Sequence, residues 1–187
     1  MVQNRLSSNT ISTFNTVFQV LTKPTTPLFQ SHCTSPLGDV LIAANAHGLA
    51  GVWFVEGQAH MPDTSCWQTN DTHPTLQAAA QQLAEYFSGQ RHSFDLPLHP
   101  ISGTPFQRSV WQALQRIPYG HTCTYGDIAR NIGNPKAVRA VGAAIGQNPH
   151  TIVVPCHRVV GANGSLTGFA GGLERKIFLL AHETAHA

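Results

Sequence analysis

Three short helical segments, each opened by its own start signal, constrain the fold of this chain most. The first, "TPFQRSVWQALQRI", opens with Thr104 as N-cap, Pro105 at the first helical position and Gln107 three residues after the cap, a capping box. Val110, Leu114 and Ile117 recur on one face of it. The second, in "TYGDIARNIG", takes Thr124 as its cap and Gly133 as its stop. The third, "NPKAVRAVGAAIGQN", takes Asn134 as its cap and places Pro135 in its first turn. Two short helices joined by a tight Gly-Asn-Pro turn have the shape of a helix-turn-helix. A last helix runs from about Leu173 to His182.

The third segment carries small residues, Ala137, Ala140, Gly142, Ala143, Ala144 and Gly146, and one long basic side chain, Arg139. Close packing against the first helix would explain them, since alanine is a good helix former. A major-groove reader more often carries Asn, Gln, Arg and Ser to reach base edges. A helix faced with Ala and Gly can instead approach a narrow groove closely, with Arg139 filling a vacated place in the base stack.

Downstream lies "IVVPCHRVVGANG". Ile152, Val153 and Val154 read as a short buried strand that Pro155 ends, because proline cannot donate to a ladder. Cys156 then stands at a strand end beside His157 and Arg158. On this stretch alone packing and chemistry are evenly matched, since free cysteine is among the most buried residue types.

The first half reads as a small α/β unit. In "HCTSPLGDVLIAANAHGLAGVWFVEG", Asn45 to Gly48 separates two apolar strands, Ser35 to Gly38 gives a turn, and a third short strand precedes Pro36. A helix follows near 75–88, ended by Gly89, and "HSFDLPLHP" is extended by its prolines. The domains are therefore 28–103 and 104–187, after a flexible leader, 1–27, rich in Ser, Thr, Asn and Gln.

At 187 residues the chain can bury a real core, and no apolar run reaches membrane-spanning length. It has no secretory h-region, and its four cysteines (33, 66, 123 and 156) are widely spaced. A reduced, cytoplasmic setting is expected. The net charge of +2 hides an asymmetry. Residues 1–103 carry three basic and six acidic side chains, net −3, whereas 104–187 carry eight and three, net +5. The second half suits a polyanionic partner.

Taken together, "GTPFQRSVWQAL", "IPYGHTCTYGDIA", "GNPKAVRAVGAAIGQNP", "IVVPCHRVVGANGSLTGFAGG" and "RKIFLLAHE" resemble the O6-alkylguanine-DNA alkyltransferases of the bacterial constitutive type. The resemblance covers nearly all of the second half in the family's order, and PCHR is its most specific signature; the first half matches more loosely, through "SPLGDVLIAA". It implies a ribonuclease-H-like α/β domain followed by a mainly α, winged helix-turn-helix domain carrying the active site. It implies DNA repair by direct reversal, in which an alkyl group passes from O6-alkylguanine in double-stranded DNA to Cys156, irreversibly and with base flipping. O4-alkylthymine is a second candidate substrate. The protein would act as a monomer, with no cofactor and no membrane.

The same resemblance makes Cys156 the acceptor nucleophile, His157 its base through water, and Glu183 the carboxylate that orients the histidine. Tyr125 would help the departing guanine take a proton. Asn148 would brace the turn before the active-site strand, although an Asn-Pro turn starter accounts for it as well. Arg139 would replace the extruded nucleotide, on a surface formed with Ala137, Ala140 and Ala143. Ile145, Val159, Phe169, Ala170 and Lys176 would line the base pocket; a solvated helix face explains Lys176 nearly as well. Two departures stand out. Ala44-Asn45 and Ala50 occupy places where some relatives carry zinc ligands, so no metal is assigned, and Phe169 stands where tyrosine is common. Two other readings remain: a DNA-binding regulator without chemistry, and a cysteine hydrolase that would turn over.

Overall fold

The computed structural model describes residues 26–187, so all of the expected leader except Thr26 and Pro27 lies outside the described residues. Three strands, β1 (Phe29–Cys33), β2 (Val40–Asn45) and β3 (Gly48–Phe54), form an antiparallel meander. A two-residue strand, β4 (Gln68–Thr69), adds in parallel beside β1, giving the order β3-β2-β1-β4. The Ser35–Gly38 turn closes with reciprocal backbone hydrogen bonds, and Gly48 opens β3 at φ +150°. A Cβ at Gly48 would lie 2.2 Å from the Pro97 carbonyl oxygen, so only glycine lets the proline-rich segment pair there through Leu49 and Leu98.

β2 and β3 are buried along their whole length because both faces of the sheet are covered. On one face Val40, Ile42, Val52 and Phe54 pack on Leu76, Ala79, Leu83 and Tyr86 of helix α1 (Pro74–Phe87). On the other, Leu41, Ala43, Ala50 and Trp53 pack with Trp67. His73 caps α1 by accepting from the Thr75 N–H, with Pro74 at the first position.

The second half builds on α2 (Pro105–Leu114), α3 (Tyr125–Asn131) and α4 (Val138–Gly146). The expected capping box of Thr104 with Gln107 is present, and the expected cap Thr124 forms a second box with Asp127. The start of α4 differs from expectation. Asn134 to Ala137 form a turn, with the Ala137 N–H on the Asn134 carbonyl, and the helix begins at Val138 with no side-chain cap. The turn thus uses Asn134 and Pro135 as turn residues rather than as a helix start. Trp111 on α2 donates its indole N–H to the Ala144 carbonyl at 2.8 Å, locking α4 onto α2 through a group near the helix end. Two short strands, β5 (Cys123–Thr124) and β6 (Val159–Val160), pair in parallel, and α5 (Leu173–Ala185) runs three residues beyond the expected end.

The expected strand at Ile152–Val154 does not form. The Val52 amide donates to Pro149, the Thr151 amide donates to Val52, and the chain then turns, with Ile152 at φ +72°. Ile152 and Val153 are buried in the first half's core and Val154 in the second's. The run is apolar because it wedges between two cores. Three apolar residues carry no period that would separate that role from a strand. Among the described residues, no helix is long and apolar enough to cross a membrane.

Candidate active site

Cys156 begins not at a strand end but in a single turn of 3-10 helix, Cys156–Arg158, between this wedge and β6. All three of its residues are buried. Asn148, just after α4, holds the turn. Its Oδ1 accepts from the His150 N–H at 3.0 Å, and its Nδ2 donates to the Val154 carbonyl at 2.9 Å and to Cys156 Sγ at 3.1 Å. Burial pushes the Cys156 thiol up. The Asn148 bond, the backbone N–H groups of Cys156 and His157 and the Lys176 charge act against that. The resting thiol is protonated and needs a base.

The base is held from behind. His157 Nε2 lies 2.7 Å from Glu183 Oε1, and Arg158 grips the same carboxylate through Nε and Nη2, both at 2.9 Å. Burial alone would raise the Glu183 pKa. Hydrogen bonds from His157 and Arg158, with the Arg158 charge, outweigh it and hold the carboxyl far below its usual range. An ionised carboxylate only accepts, so Nε2 carries the hydrogen and Nδ1 of the neutral ring is left with a lone pair. Nδ1 is buried and has no protein partner. Burial pushes His157 down, reinforced by Arg158 and Lys176 and opposed by Glu183, so the neutral ring is the resting form.

Cys156 faces a cavity of about 210 Å³ lined by Tyr125, Gly142, Ile145, Gly146, Gly168, Phe169 and Ala170, and by Ala59 and His60 from the first half. The Ala59 N–H donates to the Ala170 carbonyl at 2.7 Å, clamping that loop to the pocket. The Tyr125 hydroxyl accepts from Thr167 Oγ1 at 3.3 Å. Phe169 meets the His157 ring edge-on, with centroids 6.4 Å apart. Val159 lies in the core rather than on the cavity wall, and its carbonyl accepts from Lys176 Nζ at 2.6 Å. Lys176 is fully buried, with a second bond to the Thr167 carbonyl at 2.7 Å, which rules out the solvated helix face. Lys176 and Val159 therefore support the pocket loop and do not line the cavity.

Helix α4, whose Gly142, Ile145 and Gly146 line the cavity, presents Arg139, Ala140 and Ala143 to solvent, with Ala137 half-buried just before the helix. The motifs brought Cys156, His157, Glu183, Asn148 and Tyr125 together. They did not reveal Arg158 as Glu183's second partner, the Gly120 N–H at 3.2 Å from Oε2, or Tyr86, whose hydroxyl donates to Oε1 at 2.8 Å. Tyr86 and Gly120 lie far from Glu183 in sequence, and no local pattern points to them. A cue for Arg158 was present, since a buried arginine needs a carboxylate and few acidic residues occur in the second half. Among the described residues no group of three or more His, Cys, Asp or Glu could hold a metal ion.

Residues 28–100 match the family model for the ribonuclease-like domain of 6-O-methylguanine DNA methyltransferase, and 105–185 match that for its DNA binding domain. Over 149 residues the chain is 52% identical to a methylated-DNA–protein-cysteine methyltransferase of Methanosarcina acetivorans, covering 80% of this chain and 94% of that one. A constitutive methylated-DNA–protein-cysteine methyltransferase of Bacillus subtilis is 49% identical over 150 residues, covering 78% and 89%. A crystal structure of Mycobacterium tuberculosis OGT in complex with DNA superposes with a TM-score of 0.79 at 42% identity, covering 85% of this chain and 94% of that one. With both domain models matched in order and half of the aligned residues identical to those of such a relative, the chain belongs to the 6-O-methylguanine DNA methyltransferase family.

Proposed function

We propose that this protein repairs DNA by transferring the alkyl group from O6 of a flipped-out guanine in duplex DNA to Cys156, once per molecule. The observation that carries this is the Cys156 sulfur at a cavity wall, backed by a neutral His157 whose Nε2–H is tied to Glu183. In the resting state the thiol keeps its proton. Through water the proton passes to His157 Nδ1, and Glu183 stabilises the imidazolium that results. The thiolate attacks the alkyl carbon: the S–C bond forms as the C–O6 bond breaks, and the electron pair of that bond stays on O6. Guanine N1 takes a proton from the Tyr125 hydroxyl, which regains one from water while the His157 imidazolium releases its own to solvent, so normal guanine is restored with no net charge left in the site. The thioether has no route back to a thiol, so the protein is consumed.

An alkyl group on O6 lies inside the duplex, so the nucleotide must leave the stack, at a cost of a few kcal/mol. The exposed alanines of α4 allow close approach, and Arg139 fills the vacated place. Phe169 offers the flipped base an aromatic face. All four cysteines are free, which supports a reducing, cytoplasmic setting, and a site complete within one chain supports action as a monomer.

Titrating a fixed amount of protein with excess duplex containing O6-methylguanine tests the proposal. Restored guanine should plateau at one equivalent of protein. Continued turnover would point to a hydrolase, and binding without restored guanine to a non-catalytic DNA-binding protein.

A further inference from the structure

We infer that the Tyr86 hydroxyl, reaching in from the first half of the chain, is a positioning residue that sets how strongly Glu183 holds His157 and so the proton affinity of that imidazole. The inference rests on the His157–Glu183 pair proposed above as the base. Tyr86 lies on α1 and is fully buried. Its hydroxyl donates to Glu183 Oε1 at 2.8 Å, the oxygen that also accepts from His157 Nε2 at 2.7 Å and from Arg158 Nη2 at 2.9 Å. Oε2 takes the remaining two donors, Arg158 Nε at 2.9 Å and the Gly120 N–H at 3.2 Å. A carboxylate oxygen has two lone-pair sites, so three donors compete at Oε1.

The hydroxyl cannot aim elsewhere. The Tyr86 ring is boxed in by Phe87, Phe94, Tyr119 and His182, with ring centroids 5.3, 5.6, 6.0 and 5.3 Å away. Burial and the neighbouring Glu183 charge push its phenol well up, so it stays a donor throughout the working pH range. The charged and titratable groups around His157 are Glu183 and Lys176 from α5 and Cys156 and Arg158 on its own turn. Tyr119, from the loop before β5, feels the Glu183 charge only from a distance: its hydroxyl is buried without a partner and does not bond the carboxylate. Among the described residues Tyr86 is thus, besides His157 itself, the one neutral side-chain donor on Glu183.

A donor that draws charge from Oε1 weakens its hold on the imidazolium. Tyr86→Phe keeps the ring and removes the donor, leaving Oε1 with two partners and a stronger bond to His157. The His157 pKa should rise by about half a unit to one unit. Placing 3-fluorotyrosine at position 86 makes the phenol a stronger donor and should move it down. A residue that served only to fill the core would not produce opposed shifts from two nearly isosteric changes.

The test is an NMR titration of the His157 ring nitrogens in the full chain without DNA, with the signals assigned by their loss in His157→Asn. An upward shift for Tyr86→Phe together with a downward shift for fluorotyrosine supports the inference. No shift, or shifts in the same direction, overturns it. The pH dependence of alkyl transfer to each variant is measured alongside. If the imidazole shifts and the transfer profile does not follow, the assignment of His157 as the base fails while the positioning role of Tyr86 stands.

Discussion

The side-chain amide of Asn148 donates to the sulfur of Cys156 at 3.1 Å, and the same nitrogen also bonds the Val154 carbonyl at 2.9 Å. One residue therefore both shapes the turn that presents the nucleophile and opposes the rise in thiol pKa that burial imposes. Hydrogen bonds to charged groups contribute about 1.5–3 kcal/mol. Asn148→Ala should slow alkyl transfer about ten- to hundredfold, with partial recovery at alkaline pH, where the thiolate forms without help. Single-turnover rates on O6-benzylguanine across pH measure this. A uniform loss at every pH would mean that only the turn had been damaged.

Arg139 should matter in proportion to base stacking. Arg139→Ala should slow repair of duplex DNA strongly and leave reaction with free O6-benzylguanine, which needs no flipping, close to wild type. Comparing the two substrates reads this directly. Equal losses on both would place Arg139 in folding or in the chemistry. Binding to duplex should also weaken as salt rises, because phosphate contacts release counterions.

Phe169 tests the pocket. Stacking contributes about 1–3 kcal/mol per base, against about 0.5–1.5 kcal/mol for a net hydrogen bond. Phe169→Tyr should therefore change the repair rate by less than about tenfold, and Phe169→Ala by clearly more. Single-turnover repair by the three folded proteins decides the matter. Equal rates for Ala and Phe would remove the ring from contact with the base.

Glu183 links the site to stability. Its folded pKa is depressed, so its contribution is fully present above the unfolded carboxyl value, about 4.3, and is lost as pH falls from there toward its folded value. Glu183→Gln leaves Arg158 buried without its counter-charge and should cost about 3–5 kcal/mol at neutral pH. The variant should then lose less additional stability than wild type as pH drops below about 4.3. Urea unfolding at pH 7 and at pH 3.5 gives both numbers. Parallel losses in the two proteins would contradict the linkage.

Much of this was legible in local signals. The capping box at Thr104 and the cap at Thr124 announced two helices because their partners lie within a few residues. Cys156 and His157 were legible through their motif, and Glu183 through the end of the last helix. The Ile152–Val154 run was not, because burial between two cores looks like burial in a sheet. Lys176 was not, because full burial of a lysine depends on two carbonyls, at Val159 and Thr167, that only the folded loop supplies. Ala59 and His60 reach the pocket from the first half through a loop with no motif of its own.

The central claim concerns which sulfur is alkylated. Burial and nearby carboxylates push Cys33 and Cys123 up to about 11, and neither has an Asn148 or a His157 to offset it. After reaction with one equivalent of O6-methylguanine duplex, intact-protein mass followed by peptide mapping should show a single added methyl group, on Cys156. Cys156→Ala should bind the duplex and gain none. A methyl group on Cys33, Cys66 or Cys123, or transfer by the Cys156→Ala protein, would contradict the account.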